Sequence, residues 1–573
     1  MQHRQQVRQY LLLFLITLFL AAFLLYPIWL TVRGGFVANP VTGEGFTFRN
    51  LGVVFRDPAL RAGLVNSLLL AVTTTLLSFL LGLPLGVISA KFEYPFKKIL
   101  DAAILTPLIL PPFVGAIGLK AILGRTGAVN ALLGVDWDIL GNARFWGVTS
   151  VMALHLYPII YLNVKAACGG IDPALDEAAN VAGAGPISRF WKITLPLLIP
   201  GIFAGGSIVL IWSFTELGTP LIFDYDRVTA VQIFHGIKEM EASSEPYALT
   251  AIMLAMASVM YFISKKLLPH DTGAATTRVI RAAEPKPLQG WQMLVALSLF
   301  IIVITLALTP HIGVLLVSLA PPESWYGTVL PSRWTLSNYA DALGHPLVSG
   351  SIRNSLVLSL AAAAISMVLG IAIGYLVVRT SIVGRKALDA LSMLPLAVPG
   401  LVMAFGFVAM SMNWPFASGD PLAGLVDIVG SNPNPMLLLA VAYAVRRLPY
   451  IVRATVAGLQ QVSVELEEAA EVFGATTFSR FRRIVLPLIA GNLFAGGLLV
   501  FAFSMLEVSD SLILAQQERH YPITKAIYML TERLNDGTAL ACTTGVWAML
   551  LLGVCLALAT ALFGKSLGSV FRL

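Results

Sequence analysis

The sequence predicts an all-α polytopic membrane protein with about twelve transmembrane helices, arranged as two parallel, pseudo-two-fold repeats of six. Three observations predict this class. The 573 residues are 57% hydrophobic and 12% charged, whereas a soluble domain carries roughly 25% charged residues. Apolar runs of roughly 20 residues, the length that a spanning helix needs, recur along the chain. A polar motif between two such runs occurs twice.

The apolar runs fall into two sets of six, one in each half of the chain. In the first half they are centred near Phe19, Thr75, Leu110, Leu154, Val209 and Met256. In the second half they are centred near Ile301, Ala364, Val402, Tyr443, Leu499 and Leu552. The first run exceeds the apolar core of about 7–15 residues of a cleavable signal peptide. We therefore expect a retained first helix.

The distribution of basic residues predicts the orientation of the chain. Lys and Arg cluster in alternate loops and near both ends, and such residues are enriched on the cytoplasmic side. We expect both termini in the cytoplasm, and we attribute the net charge of +7 to membrane topology rather than to nucleic acid binding. Segment 270–289 is polar and lacks an apolar period, so it is expected to be a cytosolic linker between domains 1–269 and 290–573.

The duplicated motif is the most specific feature of the sequence. It consists of Glu-Ala-Ala, three residues, Gly, nine further residues, and an Ile-x-Leu-Pro segment, starting at Glu177 and again at Glu468. Good helix formers precede Gly183 and Gly474, and glycine commonly ends a helix. Each copy, in loops of about 171–196 and 462–487, is therefore expected to form a short helix, a glycine turn and a second helix.

The repeat also includes residues outside this motif. Pro107 and Gly118 recur as Pro395 and Gly406. Small residues let membrane helices approach closely, and proline breaks backbone hydrogen bonds that neighbouring groups can restore. A duplication of this extent predicts two structurally equivalent halves.

The duplicated motif resembles the Glu-Ala-Ala loop of the membrane subunits of ATP-binding-cassette (ABC) importers, which work with an extracytoplasmic binding protein. The resemblance implies a permease in the bacterial inner membrane, whose loop helix docks on a cytosolic ATPase and transmits its closure to the pore. The coupling residues implied by it are Glu177, Ala178, Ala179, Gly183, Glu468, Ala469, Ala470 and Gly474. Two ATPase copies would serve one chain that supplies both halves, as in the similar ferric-iron, thiamine and phosphonate permeases.

We expect no nucleotide or other cofactor in this chain. A phosphate-binding loop has a glycine five residues before its Gly-Lys-Ser, but Ala559 holds that position before Gly564-Lys565-Ser566. ATP and Mg would then be bound by the partner ATPase, and the chain would not itself be an enzyme. The seven histidines are scattered, which argues against a membrane enzyme, whereas a non-transporting scaffold or sensor remains the alternative class.

Polar residues at membrane depth are the candidates for the pathway, because burying them there is costly. They are Glu216, Glu507, His155, Arg446 and Arg447. The Arg pair could neutralise Glu507 and hold the helices together, or these groups could line the route. Carboxylates would favour a metal, and the basic groups would favour an anion. Ferric iron is the first expected substrate, with a phosphonate or other phosphorylated anion, or thiamine, as alternatives.

Overall fold

The computed structural model describes residues 2–39, 43–138, 140, 144–237, 240, 243–267, 285–417, 419–428 and 433–563. Most of the predicted linker 270–289 lies outside these residues, as does the Gly564-Lys565-Ser566 segment. The described chain is built almost entirely from helices.

The first half contains long helices joined by shorter ones. In chain order these are α1 (Gln2–Leu20), α2 (Tyr26–Gly35), α3 (Arg49–Arg56), α4 (Pro58–Lys91), α5 (Lys97–Leu105), α6 (Pro112–Leu123), α7 (Ala128–Leu133), α8 (Arg144–Gly169), α9 (Pro173–Val181), α10 (Pro186–Arg189), α11 (Leu195–Phe214), α12 (Gly218–Ile222), α13 (Thr229–Gly236) and α14 (Glu245–Leu267). A π-helical turn, Ala21–Leu25, joins α1 to α2.

The second half repeats this order, except that one continuous helix takes the place of α1 and α2 and that no helix among the described residues matches α7. Its helices are α15 (Gly290–Leu319), α16 (Ser337–Gly344), α17 (Pro346–Arg379), α18 (Arg385–Met393), α19 (Gly400–Ser411), α20 (Met436–Gln461), α21 (Val464–Val472), α22 (Thr477–Arg480), α23 (Leu486–Met505), α24 (Ser509–Leu514), α25 (Ile523–Thr531) and α26 (Gly537–Phe563). The strands are short: β1 (Val37–Asn39) pairs antiparallel with β2 (Glu44–Phe46), and β3 (Phe92–Glu93) pairs parallel with β4 (Lys286–Pro287).

The predicted class, an all-α multi-pass membrane protein, is confirmed. Within the described residues, 10 helices are long and apolar enough to cross a membrane, or 11 if the bent pair of α18 and α19 forms one span. We expected about twelve. Helix α20 is 26 residues long but is not among these 10, and the charges of Arg446, Arg447 and Arg453 explain this, since arginine at membrane depth is unfavourable. Helix α20 occupies the same position in the second half as α8 occupies in the first.

Two of the predicted apolar runs are broken by proline. The run centred near Leu110 contains Pro107, Pro111 and Pro112, and α6 begins only at Pro112. Helices α18 and α19 in the second half are bent by 101°. Proline has no amide hydrogen to donate and clashes with the preceding turn. Each half therefore contains a break in the helix, sharply bent in the second half, that ordinary hydropathy does not distinguish from a straight span.

Each half has a core of three long helices. Helix α4 packs against α8 and α11, and α17 packs correspondingly against α20 and α23. Glycines permit these contacts: a Cβ on Gly82 would lie 2.7 Å from the Tyr157 carbonyl oxygen, and one on Gly370 would lie 2.6 Å from Ile451. Gly82 and Gly370 are equivalent positions in the repeat, so the same close approach between helices is made once in each half.

The first long helix of each half packs against the other half. Helix α2 lies against α19, and α15 lies against α6. A Cβ on Gly406 would lie 2.6 Å from the carbonyl oxygen of Pro27, and a Cβ on Gly118 would overlap the carbonyl oxygen of Pro310. The repeated glycines are therefore required for the exchange of helices between halves, which joins them into one body.

Candidate functional site

The first Glu-Ala-Ala loop is a helix, a glycine turn and a second helix. The Asp172 side chain accepts a hydrogen bond from the Ala174 amide and caps α9. Gly183 has a φ of +76°, a left-handed conformation that ends helices and suits glycine. The Ala184 amide donates to the Ala179 carbonyl at 2.9 Å and satisfies the helix end.

The second loop repeats this geometry. The Ser463 side chain accepts a hydrogen bond from the Glu465 amide at 3.2 Å and caps α21. Gly474 has a φ of +81°, and the Ala475 amide donates to the Ala470 carbonyl at 3.0 Å. The two loops are thus the same local structure, built from sequences that share the glycine and differ in the cap.

Both loops present uncovered apolar side chains. Val181 at the end of α9 is 91% exposed, and Val472 and Phe473 at the end of α21 are 85% and 91% exposed. Glu177 and Glu468 are exposed beside them. Exposed apolar groups rimmed by polar ones are typical of a surface that binds another protein. The coupling role of these loops remains a prediction.

A buried ion cluster lies at the end of α23. Nη1 of Arg446 is 2.6 Å from Oε1 of Glu507, and Arg447 forms an ion pair with the other carboxylate oxygen of Glu507. The Glu507 side chain is 2% exposed. A buried carboxylate with a charged partner at each oxygen meets the condition that makes burial tolerable. Both arginines predicted from the sequence therefore contact the predicted carboxylate.

Asp510 adds a carboxylate that sequence reasoning missed. It lies in α24, its side chain is 1% exposed, and its Oδ2 is 3.6 Å from Nη1 of Arg446. Among the described residues, neither of its oxygens has a hydrogen-bond partner at ordinary distance. Thr219 holds the equivalent position in the first half, so the repeat gave no signal for Asp510. A carboxylate just after a predicted intramembrane carboxylate is the signal that could have found it.

Glu216 occupies the position equivalent to Glu507 and is bound differently. Its Oε1 accepts hydrogen bonds from the amide and the hydroxyl of Thr219, both at 3.2 Å, and it lies within electrostatic range of Arg446. Beside it, a Cβ on Gly218 would lie 3.1 Å from Val508. The two equivalent turns therefore meet between the halves, with three carboxylates and two guanidiniums near the contact.

The position of Arg446 depends on a glycine. A Cβ added to Gly400, the first residue of α19, would overlap the Arg446 guanidinium. The equivalent residue of the first half is Pro112. His155, which corresponds to Arg446, instead places Nδ1 2.8 Å from the Pro107 carbonyl oxygen. The different neighbours explain how one position in the repeat holds either a guanidinium or an imidazole.

His155 lies apart from the ion pairs of Glu507. It lines a small cavity with Pro107, Pro310 and His311, and His311 belongs to α15 of the other half. Across the described residues, no group of three or more His, Cys, Asp or Glu side chains is placed to hold a metal ion. The predicted pathway residues thus form one ion cluster and one separate histidine site.

The fold and these sites define a multi-pass membrane protein with two equivalent halves, two exposed helical loops and a polar cluster between the halves. Two segments, residues 82–273 and 366–568, match the family described as "Binding-protein-dependent transport system inner membrane component". Together they cover more than half of the chain. The chain belongs to this family and is a fused, two-domain ABC permease. Membership implies an ATPase and a binding protein as partners.

Similar proteins include permeases of several systems. The chain is 28% identical over 451 residues, 76% of each protein, to "Probable ABC transporter permease protein y4fN" of Sinorhizobium fredii. It is 25% identical over 545 residues, 91% of this chain and 73% of the other, to a ferric transport system permease protein of Actinobacillus pleuropneumoniae. A molybdenum transport system permease protein of Escherichia coli is 29% identical over 225 residues, 38% of this chain and 96% of its own length.

Proposed function

We propose that this chain forms the translocation pathway of an ATP-driven, binding-protein-dependent importer of ferric iron. The observation that carries the proposal is the similarity of 91% of the chain to a protein named as a ferric transport permease. The half-buried carboxylate of Glu216 and the buried carboxylates of Glu507 and Asp510 agree with it, because hard cations prefer oxygen ligands. Iron is the transported cargo here and not a resident cofactor.

The subunit arrangement follows from the two exposed loops. One copy of the chain supplies both halves, and each loop binds one copy of a cytosolic ATPase. The residues at these contacts are Glu177, Ala178, Ala179, Gly183, Glu468, Ala469, Ala470 and Gly474. The ATPase binds ATP and Mg and performs hydrolysis, so the chain itself has no nucleotide site, no cofactor and no enzymatic activity.

The remaining features concern placement in the cell. The chain lies in a bacterial inner membrane with both termini in the cytoplasm, and it does not bind nucleic acid. Domains 1–269 and 290–573 are joined by the cytosolic linker 270–289.

The binding protein delivers substrate from the opposite side of the membrane. Closure of the two ATPases moves the two loops together, and the halves alternate between two orientations around the shared cluster, which is the two-state element that such a mechanism needs.

A second substrate class is favoured by one observation. The relative named as a molybdenum transport permease is similar to a segment of this chain, and molybdenum is carried as an oxyanion. Arg446 and Arg447 would suit an oxyanion, or a phosphonate, since guanidinium groups bind such ligands by paired hydrogen bonds. Their contacts with Glu507 leave less positive charge for an anion, so ferric iron is the first proposal.

Reconstitution separates the two substrates. The chain is assembled with its ATPase in liposomes, and the binding protein, loaded with ferric iron or with molybdate, is added on the outer side. ATP-dependent accumulation of iron and none of molybdate is the expected result. Accumulation of molybdate alone would replace ferric iron by an oxyanion. Accumulation of neither, with no stimulation of ATP hydrolysis by the binding protein, would favour the scaffold alternative.

A further inference from the structure

A charged side chain at the end of α4 contacts the first exposed loop. Lys91 is the last residue of α4, and its Nζ lies 2.9 Å from Oδ2 of Asp176 in α9. The same ammonium donates a hydrogen bond to Oγ1 of Thr194 at 2.8 Å, just before α11 begins. One side chain therefore connects a long helix, the loop helix and the helix that leaves the loop.

The second half makes the equivalent contact with different residues. Arg379 is the last residue of α17, and its Nε lies 2.7 Å from Oε1 of Glu467 in α21. Its Nη2 donates to the carbonyl of Val462, at the end of α20, at 2.8 Å. Lys91 corresponds to Arg379 in the repeat, and Asp176 corresponds to Glu467. Both partners differ between the halves, while the charges and the contact are the same.

Burial distinguishes these pairs from ordinary surface ion pairs. The side chains of Arg379 and Glu467 are 8% and 11% exposed, and those of Lys91 and Asp176 are 24% and 30% exposed. Exposed pairs contribute little because water and salt screen them. Pairs withdrawn from water are screened less, and removal of one partner leaves the other charge poorly solvated. The loop helices are thus fixed to the ends of α4 and α17 by contacts that are unfavourable to break.

The helices to which the loops are fixed extend far into each half. Helices α4 and α17 contain 34 residues each, so each is about 50 Å long at the helical rise. Helix α4 packs along α8, which carries His155, and α17 packs along α20, which carries Arg446. A displacement of either loop helix is therefore applied directly to a helix that borders the predicted pathway.

We propose that Lys91 and Arg379 are positioning residues that transmit movement of the loop helices to α4 and α17. The inference rests on the proposed function, because it assumes that an ATPase moves the loops. Each loop is connected to the core of its own half by one ion pair, and the two ion pairs occupy equivalent places but use different residues. Loss of either contact uncouples one loop from the pathway while the exposed docking surface, which includes Val181 and Val472, stays in place.

Charge exchange in the complete complex tests this proposal. The full chain, its ATPase and its binding protein are purified with Lys91→Glu, with Asp176→Lys and with both changes together. A parallel series uses Arg379→Glu and Glu467→Arg. Each single change is expected to lower the amount of iron transported per ATP hydrolysed by about tenfold, within the range of mutations that alter coupling between sites. The double changes are expected to restore most of it.

The matched control is Lys97→Glu. Lys97 lies in the same region, at the start of α5, and forms an ion pair with Glu93 at 3.1 Å. This variant is expected to transport like the unaltered chain, and its yield and elution profile show what a local charge reversal does to folding. Copurification of the ATPase is measured for every variant, so that docking and transmission are read separately.

Three outcomes would overturn the proposal. Unchanged transport per ATP in all single variants would remove both residues from transmission. Loss of ATPase copurification in the single variants would show that the contacts shape the docking surface instead. Failure of the double changes to restore transport, with normal assembly, would show that the ion pairs are not the operative contacts. If the unaltered chain fails to bind the ATPase, the proposed function itself fails.

Discussion

The guanidinium of Arg446 lies 2.6 Å from the carboxylate of Glu507, and Arg447 contacts the same carboxylate. One buried carboxylate therefore forms ion pairs with two arginines that are adjacent in the sequence of α20. The contact is the one expected if the Arg pair neutralises Glu507. Asp510, 3.6 Å from Arg446, and Glu216, within its electrostatic range, extend the pairing into a cluster between the halves.

Two replacements of Glu507 distinguish the effect of its negative charge from the effect of its side-chain length. Glu507→Gln leaves two arginines without their main carboxylate, and breaking a buried ion pair costs about 3–5 kcal/mol. Glu507→Asp keeps the charge on a side chain that is one methylene shorter. We predict a larger loss of thermal stability in detergent, and of iron uptake, for Glu507→Gln than for Glu507→Asp. Equal, wild-type transport by both variants would remove Glu507 from the pathway.

Gly400 is predicted to be required by Arg446. In Gly400→Ala the new Cβ would overlap the guanidinium, and displacement of Arg446 would disrupt its contact with Glu507. Overpacking of this type costs about 1–3 kcal/mol. Gly350→Ala is the control, because Gly350 is helical and has open space around its Cβ direction. We expect a lower melting temperature for Gly400→Ala only. Equal melting temperatures would show that Arg446 can move without cost.

The exchange of first helices between the halves depends on Gly118 and Gly406. A methyl group at either position would push against a carbonyl oxygen of α15 or α2, and overpacking costs about 1–3 kcal/mol. We predict that Gly118→Ala and Gly406→Ala each lower the melting temperature of the detergent-solubilised chain. Gly553→Ala, at an open position in α26, is the control. A melting temperature as high as that of the control would contradict the packing described for these helices.

The loop glycines are predicted to act through backbone conformation. Gly183 and Gly474 have positive φ and nothing within 4 Å of a Cβ, so alanine there is strained but not obstructed. The strain is about 1–2 kcal/mol per residue. Gly183→Ala should therefore weaken ATPase binding, measured by copurification. Gly185→Ala should leave it unchanged, because Gly185 is equally open and has a φ of −66°. The same loss in both variants would assign the effect to surface shape.

The sequence was sufficient for the fold class and for the two loops. Composition and run length predict membrane helices, and the duplicated motif predicts a helix that ends at Gly183 and another that ends at Gly474. These features are local, so periodicity and glycine placement report them directly. The break in the helix near Pro107 and the bend near Pro395 were harder to predict, because proline is common in membrane helices that continue. The number of spans therefore depended on breaks that the hydropathy pattern leaves undecided.

Contacts between distant segments were not predictable in the same way. Nothing in the hydropathy pattern indicates that α2 packs against α19, since any apolar helix can face several neighbours. Comparison of the two halves finds identical residues. It therefore missed Asp510, since the equivalent position in the first half holds Thr219 and no carboxylate. It also missed Lys91 with Asp176, and Arg379 with Glu467, because both partners changed while their charges did not. A search of the repeat for retained charge would have found these pairs.

The most direct measurement is uptake of radiolabelled ferric iron by iron-starved cells that express the chain, its ATPase and its binding protein. It is compared with uptake by cells that carry Gly183→Asp together with Gly474→Asp. The account predicts energy-dependent accumulation in the first cells and its loss in the second, with similar amounts of the chain in the membrane. Equal accumulation in both would contradict the assignment of energy coupling to the two loops, and accumulation in neither would contradict ferric iron as the substrate.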